Sequence, residues 1–128
     1  MQEEIQKLFD TLASTPNGPE REAILTALLV QDGHGLHEDI VFELGLSGAS
    51  NAVPAISKAV VIPFQELVRW GNLHEFQRKC AYALARIGTE ESREALVVMT
   101  QSPDEHLRQY GEEGLSHWPM PYKGDKNS

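Results

Sequence analysis

Apolar side chains recur at helical spacing along most of the chain, and turn-forming residues separate the periodic stretches. The first apolar stripe has the i, i+3, i+4, i+7 spacing of one helix face. It consists of Ile5, Leu8, Phe9 and Leu12. Pro16, Gly18 and Pro19 then interrupt the pattern, because neither residue type readily continues a helix. The spacing therefore predicts a short amphipathic helix, a turn and a second helix.

The same pattern continues along the chain and predicts about eight short helices. No segment alternates apolar and polar residues between hairpin turns, so no strand is expected. The predicted helices cover residues 1–14, 20–30, 36–44, 51–59, 63–70, 75–87, 90–101 and 102–118. The fold class is therefore predicted to be all-α, with short turns between neighbouring helices.

An internal repeat underlies this arrangement. Residues 44–56, shifted by forty positions, match residues 84–96 in their order of large, small and turn residues. The shift pairs Leu44 with Leu84, Gly48 with Gly88, Ala55 with Ala95 and Ile56 with Leu96. Each unit is predicted to be two antiparallel helices with a glycine between them. Such a pair can bury its apolar face only by stacking on neighbouring pairs.

The unit that follows residue 75 resembles a HEAT repeat, in particular the short HEAT-like repeats of phycobilisome lyases. The first helix of that family has an apolar residue, an arginine, two small residues and an Ala-Leu pair. The matching positions here are Phe76, Gln77, Cys80, Ala81, Ala83 and Leu84. Gln77 departs from the pattern, since arginine is usual there. The turn "IGTEES" at residues 87–92 matches the family's turn.

The resemblance extends over residues 19–118 and implies an α/α superhelix of about four HEAT-like helix pairs, with the second helices on the concave side. We expect one domain at residues 1–118 and a tail at 119–128, which is rich in Pro, Gly and charge. The resemblance implies little about function, because HEAT repeats serve many partners. Lyases of this family attach bilins, but no pigment pocket is evident and that activity is not carried over.

One unit carries surplus residues. Ile56 and Phe76 are 20 positions apart, whereas Leu96 and Leu107 are 11 apart. The surplus falls in an insertion at residues 57–73, which contains Pro63. Two interpretations stay open: one longer helix kinked by the proline, or an insertion that shapes a binding site on one face of the solenoid.

The charge balance bears on the kind of partner. Nineteen acidic residues against 11 basic ones give a net charge of −8, which disfavours nucleic acid and anionic membranes and favours a basic protein. No leader-like N-terminus and no membrane-spanning apolar run is present, so a cytoplasmic location is expected. The single cysteine, Cys80, is predicted to be a small core residue.

No motif indicates catalysis. HExxH, CxxC and glycine-rich phosphate loops are missing from the sequence, so we expect neither enzymatic activity nor a cofactor. His34 and His37 lie near Asp32 and Glu38 and could form a metal site. The favoured interpretation places both histidines in a surface turn at a helix start. His74 is expected at a capping or surface position.

What remains is a surface of acidic and aromatic residues. The candidate partner-binding residues are Glu66, Trp70, Glu90, Glu94, Tyr110, Glu112, Glu113 and Trp118. Trp and Tyr are common interface anchors, although Trp118 could instead cap the end of the core. The function expected is non-catalytic protein binding, most concretely by a bacterial immunity protein that neutralises a cationic toxin such as a nuclease. The alternative is a scaffold or adaptor that binds a peptide or protein without inhibiting it.

Overall fold

The computed structural model describes residues 2–120, and within them the chain is all-helical, as predicted. Eight α-helices follow one another within these residues, and a short 3-10 turn at Ser50–Ala52 precedes the fourth. They are α1 (Gln2–Ala13), α2 (Pro19–Leu29), α3 (His37–Ser47), α4 (Val53–Ala59), α5 (Gln65–Arg69), α6 (Leu73–Ile87), α7 (Glu90–Thr100) and α8 (Glu105–His117). The remainder of the expected tail, residues 121–128, lies outside the described residues.

The helices pack as hairpins in two layers. In one layer α6 lies between α3 and α8 and packs closely against both. In the other layer α4 lies between α2 and α7. Contacts of α2 with α3, of α6 with α7 and of α7 with α8 join the layers, while α1 packs on α2 and the short α5 packs on α6. One continuous core runs between the layers.

The forty-residue repeat is present in the geometry. Helices α3 and α6 end forty residues apart, and each is followed by a left-handed glycine. The φ angle is 68° at Gly48 and 71° at Gly88, a conformation that glycine adopts without a Cβ penalty. Leu44 and Leu84 are both fully buried at equivalent positions. The two units therefore share one pattern of core and turn.

A polar side chain near the start of α3, α6 and α8 ties each helix to the connection before it. His37 Nε2 donates to the carbonyl of Gln31 at 2.7 Å, beyond the end of α2. Gln77, forty residues later, donates to the carbonyl of Val60 at 3.4 Å. Arg108 donates to the carbonyls of Ser102 and Pro103, each at 3.0 Å. These carbonyls lie in the connections just past α2, α4 and α7, outside any helix, so all three side chains satisfy the same kind of backbone acceptor.

The approach of α3 to α6 depends on small residues. Gly45 faces Ala83, and a Cβ added at Gly45 would lie 2.8 Å from the Ala83 Cα. No side-chain rotation can relieve a contact with backbone. The spacing between these two helices therefore requires glycine at position 45.

We predict that Gly45→Ala destabilises the fold by about 1–3 kcal/mol, because the added methyl group pushes α3 away from α6. This loss should outweigh the gain of up to about 1 kcal/mol that alanine brings to a helix interior. Urea unfolding measures the change. Ser47→Ala, at an exposed position on the same helix, is the control and should stay within about 0.5 kcal/mol. A Gly45→Ala protein as stable as the parent would contradict the packing argument.

Candidate protein-binding surfaces

The two histidines expected in a surface turn are buried, so that prediction is wrong. His34 is 9% exposed and His37 is fully buried. The His37 ring stacks between those of His34 and Phe64, with centroid distances of 4.0 and 3.8 Å. The Phe9 ring lies perpendicular to that of His34, with centroids 5.2 Å apart. Phe64 comes from the insertion and Phe9 from α1, and the local sequence of the turn contains neither ring.

The hydrogen bonds of His34 assign it a structural role. Its Nε2 donates to the carbonyl of Leu28 at 2.8 Å, and its Nδ1 accepts from the amide of Leu36 at 3.2 Å. Both nitrogens of a neutral ring are thereby used, so no lone pair is free for a metal. Within residues 2–120, no three His, Cys, Asp or Glu side chains converge as a metal site would require.

Burial also controls the protonation of these rings. It lowers the pKa of His34, and it lowers the pKa of His37 from 6.5 to about 4, although the Gln31 carbonyl and the Asp32 charge oppose the shift. Both rings are therefore neutral near neutral pH. Cys80 is likewise buried, as predicted, and burial raises its thiol pKa well above the ordinary value.

The insertion at residues 57–73 is not a single kinked helix. Helix α4 ends at Ala59, and the chain passes through Pro63 before α5 begins at Gln65. Phe64 and Leu67 enter the core. The Asp32 carboxylate accepts the backbone N–H of Gln65 at 3.2 Å and so fixes the start of α5 to the α2–α3 turn. The insertion is thus a short helix anchored to the repeat before it.

The anchored insertion presents apolar residues to solvent. Trp70 is 70% exposed and Val68 is 53% exposed. The Trp70 indole N–H donates to the Glu66 carboxylate at 3.2 Å, which gives the ring a partner within the insertion. Glu66 and Trp70, two of the candidate residues, therefore lie together on one surface, which we call the insertion surface.

Candidate residues near the C-terminus serve mostly internal contacts. The Glu113 carboxylate accepts hydrogen bonds from Arg78 at 2.7 Å and Tyr82 at 2.6 Å, and these contacts lower its pKa. Trp118 is half-buried, and its indole donates to the Thr89 carbonyl and the Ser92 hydroxyl, each at 3.2 Å. Trp118 thus closes the end of the core, the alternative that the sequence had left open.

The packing against α6 continues past residue 118. The Met120 amide donates to the carbonyl of Ala85 at 3.0 Å, so the first two residues of the expected tail contact the helical core. Among the other C-terminal candidates, Tyr110 is half-buried against the core and Glu112 is exposed. The C-terminal candidates therefore do not form one aromatic and acidic patch.

In the described part of the chain, exposed acidic residues without an ion pair cluster at the start of α7. Two basic residues of α6 are paired, Arg78 with Glu113 at 2.7 Å and Lys79 with Glu38 at 3.2 Å. The exposed carboxylates at the start of α7 form no ion pair within residues 2–120. They are Glu90, Glu91 and Glu94. Two of them are among the candidate partner-binding residues. Together the three carboxylates form an acidic surface on the layer that contains α2, α4 and α7.

An apolar groove, which the sequence did not predict, lies between α4 and α7. Its volume is about 460 Å³. Leu84, Met99 and Leu107 form its buried floor. Val61 and Val98 stand on its rims and are 62% and 66% exposed. The sequence does not distinguish these exposed valines from core residues. The pairs Val60–Val61 and Val97–Val98 both have the spacing of ordinary apolar positions in a helix.

Comparison with protein-family models, with curated proteins and with solved structures found no match for this chain. The HEAT resemblance therefore stays a prediction that rests on the residues quoted above. No helix within residues 2–120 is long and apolar enough to cross a lipid bilayer.

We predict that acid destabilises the fold through His37. Since its pKa is about 4 in the folded protein against 6.5 ordinarily, the unfolded chain binds more protons between these values. The stability present above pH 6.5 should fall by about 2 kcal/mol on going to pH 5. Urea unfolding at pH 7 and pH 5 measures this loss. His37→Gln, which copies the residue of the next repeat, should remove most of it. An equal loss in both proteins would show that His37 is not its source.

Proposed function

We propose that this chain is a non-catalytic, HEAT-like protein-binding module, most specifically a bacterial immunity protein. It would bind a cationic toxin such as a nuclease and occlude the toxin's active site. The observation that carries the proposal is Trp70, a large side chain held open to solvent just past the end of an anchored helix. Tryptophan is enriched among the residues that contribute most to protein interfaces. Because Asp32 and Phe64 already fix the insertion, little entropy is lost when a partner binds it.

The charge distribution supports a basic partner. The net charge is −8, and Glu90, Glu91 and Glu94 carry no internal cation among the described residues. Such a field accelerates association with a cationic protein and repels nucleic acid and anionic membranes. A nuclease presents a cationic surface because it binds phosphates, so an acidic surface can compete for the same site. We propose that the two proteins meet in the cytoplasm.

The second candidate function is a scaffold or adaptor with no inhibitory role. The groove between α4 and α7 favours it, because an apolar cleft of this size can hold part of a peptide. Both functions need a protein partner, and they differ in what the partner does when it is alone.

Expression of the neighbouring gene product separates the two functions. If this protein is an immunity protein, a neighbour should kill a host cell when expressed alone and should be neutralised by co-expression in an equimolar complex. If the neighbour is harmless and the captured partner stays active in the complex, the immunity function is excluded and the scaffold function is supported.

We predict that Trp70→Ala weakens partner binding by about 2 kcal/mol or more, the size of an interface hot spot. The stability of the free protein should change by less than about 0.5 kcal/mol, because the side chain is mostly in water. Calorimetric titration against the partner measures the affinity. Phe42→Ala, which removes an exposed aromatic ring from α3, is the matched control and should bind normally. Equal affinities of Trp70→Ala and the parent would remove the insertion surface from the interface.

We also predict that association slows by at least about tenfold when the ionic strength rises from low to high, while dissociation changes little. Stopped-flow mixing with the partner measures both rates. An association rate indifferent to salt would exclude electrostatic steering.

A further inference from the structure

The groove between α4 and α7 combines a closed floor with open rims. Leu84 is fully buried at its base, yet the rim residues Val61 and Val98 leave more than half of their surface in water. The lining offers few polar groups, mainly Ser57, Gln101 and Ser102. Exposed apolar residues gathered around one cleft, rather than scattered singly, are typical of an interaction site.

Acidic residues continue from the apolar rim along one face of α7. Glu94 and Glu91 precede Val98 by four and seven residues, spacings that place all three on one side of the helix. Across the groove, α4 carries the single charged residue Lys58. An occupant of the groove therefore meets a valine on each rim and, along the α7 rim, the carboxylates of Glu91 and Glu94.

This surface suits a helix better than an extended chain. An extended peptide brings unpaired backbone N–H and C=O groups, and the lining has few groups to satisfy them. A helix satisfies its own backbone and presents an apolar stripe of the kind that helix-binding grooves accept. A second copy of this chain fits poorly, because two acidic edges would repel each other.

We propose that the groove binds an amphipathic helix whose apolar stripe packs between Val61 and Val98 and whose flanking Lys or Arg residues face Glu91 and Glu94. This proposal rests on the proposed function, since it describes how a basic protein partner is held. The partner thus inserts an apolar helix face here, in addition to any contact with the insertion surface.

Selection from a phage-displayed library of random peptides of about 15 residues, a length at which isolated helices become marginally stable, tests the proposal. Enriched peptides should carry apolar residues at i, i+3 or i+4, and i+7, with a net positive charge. Val98→Asp should weaken their binding at least about tenfold. Phe42→Asp, at an exposed apolar residue of α3 outside both the groove and the insertion surface, is the control and should not weaken it. No enrichment, or binding indifferent to Val98→Asp in a folded protein, would overturn the proposal.

A charge-matched pair of double variants tests the acidic edge. Glu91→Lys with Glu94→Lys should weaken peptide binding several-fold more than Glu3→Lys with Glu4→Lys, which makes the same change in net charge on α1. Equal effects would assign the attraction to net charge alone and overturn the placement of the cations. Circular dichroism checks that every variant is folded.

Two further outcomes separate this proposal from the proposed function. If the toxin complex forms and survives Val98→Asp but not Trp70→Ala, the groove proposal fails and the immunity function stands. If sedimentation shows a dimer of this protein that Val98→Asp abolishes, the occupant is a second copy and the helix proposal fails.

Discussion

The close packing of α6 against its two neighbours is the constraint on which the rest of the structure depends. Helix α6 contacts α3 on one side and α8 on the other, and its inner positions are small or fully buried. Gly45 lies against Ala83, and Gly114 lies against Ala81, where an added Cβ would be 3.1 Å from the Ala81 carbonyl oxygen. At these distances larger side chains would separate the helices and open the core.

Equivalent positions in successive repeats bind backbone carbonyls of the preceding connection, but they do so with different residue types. Each helix of the first layer begins beside a connection whose carbonyl groups lie outside any helix. Histidine, glutamine and arginine satisfy them at His37, Gln77 and Arg108. The position keeps its structural role although the residue type changes, because any side-chain donor that reaches the carbonyl can form the hydrogen bond. At His37 this solution makes stability depend on pH, since a buried imidazole must stay neutral.

The two surfaces proposed for binding arise where the connections between helices of the repeat differ. The insertion between α4 and α6 is held by Phe64 and Asp32, which leaves Trp70 as an open aromatic side chain on a fixed support. The connection between α7 and α8 has no such insertion, and the ends of α4 and α7 leave an apolar groove between them. Among residues 2–120, the carboxylates of α7 beside this groove form no ion pair, whereas Glu38 and Glu113, which face α6, do.

The sequence by itself determined the helices, the forty-residue repeat and its glycine turns, because periodicity and turn chemistry act over a few residues. It also indicated the exposed Trp70 and the acidic start of α7. Only the tertiary structure decided that His34 and His37 are buried, because the rings that cover them come from α1 and the insertion. It likewise decided that Glu113 accepts hydrogen bonds from Arg78 and Tyr82. It also decided that Val61 and Val98 are exposed to solvent. Each of these outcomes depends on contacts between segments distant in sequence, which local patterns do not encode.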